Sequence, residues 1–246
     1  MDSSRSAVRE LSHPPETGTS ACLELVFGSK SGSTVIRHSY AEAPFKITRL
    51  YCPENSSLAQ LIIMNTTPGL FAGDNTAISI RVEDGARILI TSQASTRVHP
   101  GKGIAEQAFH IEVEPGGELH LYNDPLIPYR SSRLRQRTNI KLSANSRLFF
   151  WDGFMAGRVS RGETWQFEEL DNETRLVRDG RLIYLERYKI DSQSCPRGFH
   201  YVATGIFHEQ FKTSLLDGHA ANVGIDEPAP GLAMSWFEWD QSTDRA

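Results

Sequence analysis

Cysteine is scarce in these 246 residues: Cys22, Cys52 and Cys195 are widely spaced, odd in number and form no Cys-x-x-Cys pair. That pattern is neither a secreted disulfide framework nor a cysteine zinc site, and it suits a reducing cytoplasm. Basic blocks are missing too. With 26 Lys+Arg against 30 Asp+Glu the formal charge is −4, which argues against nucleic acid and against an anionic membrane surface. No apolar run approaches the ~20 residues that span a bilayer. The opening MDSSRSAVRELSHPPETGTSA has no apolar stretch of the secretory kind. A Gly-x-Ser-x-Gly elbow is absent, and Gly28-Ser29-Lys30-Ser31-Gly32 lacks the Lys-Ser/Thr that completes a phosphate loop. No self-contained nucleotide site is visible.

What is present is period two. A chain this long buries about 70–75% of its unfolded surface, so a core needs no metal or disulfide. Residues 1–20 are polar with Pro14-Pro15 and are expected to form a disordered tail; residues 21–246 are expected to form a single β domain. Ile78, Ile80 and Val82 alternate with polar neighbours up to Asp84-Gly85, after which Ala86, Ile88 and Ile90 resume the pattern. Asp-Gly between alternating runs predicts a hairpin. Similar breaks fall at Pro115-Gly116-Gly117, at Ser143-Ala144-Asn145-Ser146 and at Asp179-Gly180. Their spacing of about 30 residues predicts stacked antiparallel β layers, as a sandwich, a barrel or a β-solenoid. One or two short helices are expected toward the C-terminal part, within residues 198–217. Residues 224–231 read as a loop, and Met234–Trp239 as an aromatic strand.

Several constellations are candidates for chemistry. With Pro115-Gly116-Gly117 as a hairpin loop, Glu112 faces His120 across the strands, with His110 on the same face. Those three side chains suit a divalent metal in a cupin-like metalloenzyme, or a solvated face on which Glu112 and His120 pair. The loop Thr66–Asp74 places two glycines, a proline and an aspartate between apolar runs, with Asp74 suited to capping backbone N–H groups. Thr91, Ser92, Gln93, Thr96 and Arg97 follow a strand as a dense polar stretch, which suits a polar edge, a water-filled passage or a partner surface. Trp151-Asp152, Gly157-Arg158, Gly162-Glu163 and Glu186-Arg187 bring Arg and carboxylates together, as structural ion pairs do.

In this order the segments resemble the urease accessory UreD (UreH) family. The family's Pro-Pro-Gly-Gly-x-x-Gly-Gly-Asp loop is matched by Thr67-Pro68-Gly69-Leu70-Phe71-Ala72-Gly73-Asp74. Its Thr-Thr-Gln-x-x-Thr-Lys strand end is matched by Thr91-Ser92-Gln93-Ala94-Ser95-Thr96-Arg97, followed by Gln107. Trp151-Asp152, Gly157-Arg158, Gly162-Glu163 with Phe167, and Glu186-Arg187 complete the series. The likeness covers residues 23–215. Trp-Asp stands where the family has Trp-Glu, and the stretch after Arg187 is shorter, so set against the resemblance the chain reads as either a divergent or a C-terminally shortened member.

The resemblance implies a non-catalytic cytoplasmic scaffold with an all-β, layered fold. Its partners would be a UreF-type helical protein, a UreG-type GTPase held through UreF, and urease apoprotein. Nickel would be carried transiently rather than bound as a resident cofactor. A cation in transit needs weakly held oxygen ligands, whereas a His/Cys cage would trap it. On this reading Asp74, Thr91, Ser92, Gln93, Thr96, Asp124, Asp152, Glu163 and Glu186 are the candidate lining groups, and Arg97, Arg158 and Arg187 position the carboxylates. The competing readings are the cupin-like enzyme using His110, Glu112 and His120, and a plain β-sandwich interaction module.

Overall fold

The computed structural model describes residues 18–54, 56–195 and 198–208, and the backbone of 222–229 and 232–239. Of the tail expected at residues 1–20, residues 1–17 lie outside the described residues; Gly18–Ser20 lie against the body, with the Thr19 carbonyl accepting from Asn75 N at 2.9 Å. Two sheets face each other. The first has the order β14 (Arg181–Ile190), β13 (Glu169–Arg178), β11 (Arg133–Leu142), β8 (Ala105–Val113), β5 (Asn75–Val82), β1 (Ser20–Lys30) and β2 (Ser33–Ala41). The second runs β16 (Asn222–Ala229), β17 (Leu232–Trp239), β15 (Tyr201–His208), β12 (Arg147–Met155), β9 (Glu118–Tyr122), β6 (Arg87–Ser92), β4 (Ala59–Asn65) and β3 (Phe45–Ile47). A short ribbon pairs β7 (Arg97–Val98) with β10 (Ile127–Pro128).

The all-β expectation holds, but the direction of the strands does not. Pairing is parallel from β1 through β5, β8 and β11 to β13, and again from β4 through β6 and β9 to β12. The breaks at residues 84, 116 and 144 are therefore arches that carry the chain from the first sheet to the second. Of these four breaks, Asp179-Gly180 alone closes an antiparallel hairpin, between β13 and β14. Parallel strands in register bring equivalent residues side by side, so each arch stacks on the one before. Glu114 N donates to Val82 O, Ser143 N to Val113 O and Asp179 N to Leu142 O, at 2.9–3.2 Å. Stacking leaves no room above Asp84: a Cβ on Gly116 (φ +77°) would lie 2.1 Å from Asp84 Oδ1.

Alternate residues of each strand then point into one interior. Leu23, Ile80, Val82, Ile88, Ile111, Leu119, Leu148 and Phe150 belong to one apolar cluster at the arch end. Leu70, Val98, Leu126, Leu134, Phe154, Trp165 and Phe167 form a second. Of the expected C-terminal helix, the part at Tyr201–His208 is strand and the remainder from residue 209 lies outside the described residues. Among the described residues the helical content is one 3-10 turn, Val159–Arg161. The expected loop at 224–231 is strand over its first six residues, and the register shift between Asp226 and Ala229 accommodates Pro228 on this edge strand. Met234–Trp239 is strand as expected. No helix among the described residues is long and apolar enough to cross a membrane.

Candidate functional site

Between the two apolar clusters the inward positions turn polar. On β11 the inward series is Leu134, Gln136, Thr138, Ile140, Leu142, and on β13 it is Leu170, Asn172, Thr174, Leu176. Because these strands are parallel and in register, the polar positions line up across the sheet. One row reads Thr76, Gln107, Gln136, Asn172, Tyr188, and the next reads Ile78, Phe109, Thr138, Thr174, Glu186. From the second sheet Ser92, Asp152 and Thr204 face them. Gln136 and Thr138 are 1% exposed and Asn172 is 3% exposed, so a polar stratum crosses the core where apolar residues would otherwise meet.

A cleft of about 260 Å³ opens onto this stratum, lined among others by Thr76, Ser92, Gln107, Asp124, Gln136 and Asp152. Its wall includes Gly69, whose φ of +147° and lack of Cβ let the loop lie on β7; a Cβ there would sit 2.1 Å from Arg97 O. Ser92 Oγ donates to Asp124 Oδ2 at 2.7 Å and accepts from Asp124 N at 2.8 Å. At the floor Gln136 Nε2 donates to Asp152 Oδ2 at 2.6 Å, joining the two sheets. Deeper in, Asn172 Nδ2 donates to Tyr188 Oη at 2.8 Å, and Thr204 Oγ1 lies 3.3 Å from both Glu186 oxygens. Thr138 Oγ1 and Asn172 Oδ1 are buried without a hydrogen bond. An unpaired buried oxygen costs free energy unless water or a cation completes it.

The electrostatics follow from burial. Desolvation, then the nearby Glu186 charge, pushes the Asp152 carboxyl up to about 7, against the Gly153 N–H and the Gln136 amide that favour its ionised form. Burial also raises Glu186 above the usual carboxylate range, partly offset by hydrogen bonds from Thr204 and Tyr184. Burial lifts Tyr188 well above an ordinary phenol, with Asp152 and Glu186 adding to the effect. The stratum is a set of oxygen donors with a deficit of positive charge.

The structure brings some expected residues together and separates others. Ser92, Gln93, Thr96, Asp124 and Asp152 line the cleft with Arg97, and Glu186 lies behind Asp152. Thr91 points outward, level with Ile62 and Tyr122. Asp74 sits in the loop wall, where Oδ1 accepts from Thr19 N and Oδ2 from Phe71 N, each at 2.8 Å. Glu163 is held by Arg158, which lowers its pKa, and the Arg158 guanidinium stacks 4.1 Å above the Tyr129 ring. Neither is among the groups that line the cleft. Arg187 points outward toward Glu173 at 3.8 Å, away from Glu186. Sequence reasoning passed over Gln136, Thr138, Asn172, Thr174, Tyr188 and Thr204; the available signal was a polar residue at an inward position of an alternating strand.

The alternative reading of His110, Glu112 and His120 as a metal site is overturned, and so is the pairing of Glu112 with His120. His110 and Glu112 are exposed on the outer face of the first sheet, while His120 is on the outer face of the second, its Nε2 2.8 Å from Glu118 Oε1. The arch between β8 and β9, where a hairpin was expected, puts them on opposite sides. Among the described residues no group of three or more His, Cys, Asp or Glu could hold a metal ion.

The loop-wall role of Asp74 has a measurable consequence. Asp74→Ala leaves two N–H groups unpaired, and unfolding stability is expected to fall by about 1–3 kcal/mol. Thermal unfolding checks this, and an unchanged melting temperature would mean the loop is held by other contacts.

Residues 19–223 match the family model described as UreD urease accessory protein. Urease accessory protein UreD of Sorangium cellulosum is 32% identical over 169 residues, covering 68% of this chain and 53% of that protein. The UreD of Deinococcus radiodurans is 30% identical over 220 residues, 86% of this chain and 77% of that protein. Urease accessory protein UreH of Helicobacter acinonychis is 29% identical over 164 residues, covering 66% and 62%. The match spans about half the length of the Sorangium protein and of the Trichodesmium erythraeum UreD, at 53% and 52%.

Proposed function

We propose a function from the premise that this chain belongs to the UreD urease accessory protein family: it is a non-catalytic cytoplasmic scaffold that passes Ni²⁺ through its polar stratum toward urease apoprotein. A UreF-type helical protein would dock on it and recruit a UreG-type GTPase, while urease receives the cation. The observation that carries this reading is the layer of buried polar side chains running across a core that is apolar on both sides. Stability alone gives no reason for such a layer, because apolar residues of similar volume would serve the core as well or better.

The donor set suits transit. Ser92, Gln93, Thr96 and Asp124 offer oxygens at the cleft, Asp152 and Gln136 lie at its floor, and Asn172, Thr138, Tyr188 and Glu186 follow. Carbonyl, hydroxyl and single carboxylate oxygens hold a borderline cation loosely enough for release at each step. Arg97 at the cleft wall limits the net negative charge there, which keeps the entrance from becoming a trap. Nickel is cargo here, and no resident metal is required.

Co-expression with urease and its other maturation proteins tests the reading. The expected result is co-elution of this chain with the helical partner and the GTPase in size-exclusion chromatography with light scattering, and nickel-loaded urease only when the chain is present. The Asp124→Ala variant is expected to lower urease activation several-fold while the complex stays intact. A chain that elutes alone, or urease that activates equally without it, would overturn the reading.

A further inference from the structure

The lining of the cleft stops short of the deeper polar groups. Gln136 and Asp152 line the cleft, but Asn172, Thr174, Tyr188 and Glu186 do not. Gln136 comes from the first sheet and Asp152 from the second, and their 2.6 Å hydrogen bond spans the interior between those strands. Gln136 is 1% exposed, so its amide is held away from bulk solvent. Directly beside it in register stands Asn172, and two residues along the same inward face stands Thr138, each with a buried, unpartnered oxygen.

We infer that Gln136 is a bolt on the passage: its amide, clamped to Asp152, shuts the open cleft off from the buried oxygens behind it, and the cation crosses only when that hydrogen bond opens. The inference rests on the passage reading above. The chemistry is specific to an amide. In the closed state the Nε2–H group occupies a lone pair of Asp152 that a cation would need, and its partial positive charge opposes a cation. When the amide swings, Oε1 takes the place of Nε2, and the same side chain becomes an oxygen ligand beside the carboxylate. A single rotation therefore turns a barrier into half of a transient site, with Asn172 Oδ1 and Thr138 Oγ1 as the next donors.

The test is single-turnover activation of urease by the assembled complex loaded with stoichiometric Ni²⁺. Gln136→Met keeps the volume and removes the donor; freed of a charge-assisted hydrogen bond, the passage is expected to deliver active urease about tenfold faster. A purely structural glutamine predicts the opposite, since its loss could only slow or abolish delivery. Gln136→Glu sets two carboxylates side by side, which favours a proton or cation held between them. That variant is expected to deliver about tenfold more slowly and to retain Ni²⁺ through gel filtration. Should Gln136→Met fail to fold, Gln136→Thr, too short to reach Asp152, carries the same expectation. Unchanged or slower delivery by the donor-free variants, with Asp152→Asn impaired, removes the bolt and leaves the passage standing. Unimpaired delivery by Asp152→Asn removes both.

Discussion

Asp152→Asn is expected to make the protein more stable and less useful. Asp152 is 8% exposed, and its carboxyl is pushed up to about 7 by burial and by Glu186. In the unfolded chain it titrates near 3.8. The folded value lies above the unfolded one, so the native state holds the proton more tightly. Below pH 3.8 the two states are equally protonated and the group costs nothing. Between about 4 and 7 the unfolded chain ionises while the native chain does not, and above 7 the cost levels off at about 4 kcal/mol. Asparagine keeps an acceptor for the Gln136 amide and carries no charge. The variant should therefore match the wild type near pH 4 and gain stability steadily to pH 8, where its melting temperature rises by about 10 °C. Urease activation should fall at least tenfold, because the one carboxylate at the cleft floor is gone. Paired pH-dependent melting and activation assays decide it. A variant that loses stability at pH 8 yet activates urease normally would make Asp152 a structural residue. Its retention in the wild type is then a cost of function, as a charge kept in a core normally is.

Much of this was visible in the residues, and what was not has definite causes. The strands and the four breaks follow from alternation and from Gly, Asn and Asp at positive φ, as Gly85 (+71°), Asn145 (+63°) and Asp179 (+49°) confirm. Turn chemistry, however, says that the chain reverses, not whether it returns to the same sheet. An Asp-Gly pair serves the arch at Gly85 and the hairpin at Gly180 equally, so parallel and antiparallel stacking look alike until strands are paired. The metal site failed for that reason alone, since it assumed that β8 and β9 were neighbours. Parity was the neglected information. Glu186 and Arg187 are adjacent in one strand and must face opposite sides, so only one of them could line an interior passage; Thr91 and Ser92 obey the same rule. Gln136 and Thr138 were hidden for another reason. In Arg-Leu-Arg-Gln-Arg-Thr-Asn-Ile-Lys-Leu both faces carry polar residues over the central positions, and only the register with β8 and β13 shows that one set is buried.

Removing the charge of Glu118 should destabilise the fold, and in acid the wild type should lose the same increment. Glu118 opens β9 and its side chain is 7% exposed on the outer face of the second sheet. In register on either side stand Arg87 and Arg147, the row that the stacked arches impose on the second legs of three successive units. Arg87 Nε donates to Oε2 at 2.7 Å, Arg147 Nη2 lies 2.8 Å from the same oxygen, and His120 Nε2 lies 2.8 Å from Oε1. Burial acts to raise the pKa, but the hydrogen bonds from His120 and Arg87 and the charges of Arg87 and Arg147 overcome it and bring the carboxyl down to about 2, against 4.5 when unperturbed. A depressed acid stabilises the fold above its unfolded pKa and ceases to do so as pH falls through its folded value. Wild-type stability should thus decline between about pH 4.5 and 2. Because the two guanidiniums are about one-third exposed, solvent screening trims the full difference to about 2–3 kcal/mol. Glu118→Gln keeps the shape, leaves two arginines facing a neutral amide, and should lower the melting temperature at pH 7 by about 5–10 °C. Its deficit should shrink toward zero near pH 2, where the wild type has lost its own charge, and should narrow in 1 M salt. A deficit that stays constant from pH 7 to pH 2 would assign the effect to packing at the start of β9 instead of to the ion cluster. Urease delivery measured at 25 °C should be unaffected, because the cluster faces away from the polar stratum. That separates the residues that hold the stacked arches together from those, centred on Asp152, that the stacked arches hold in place.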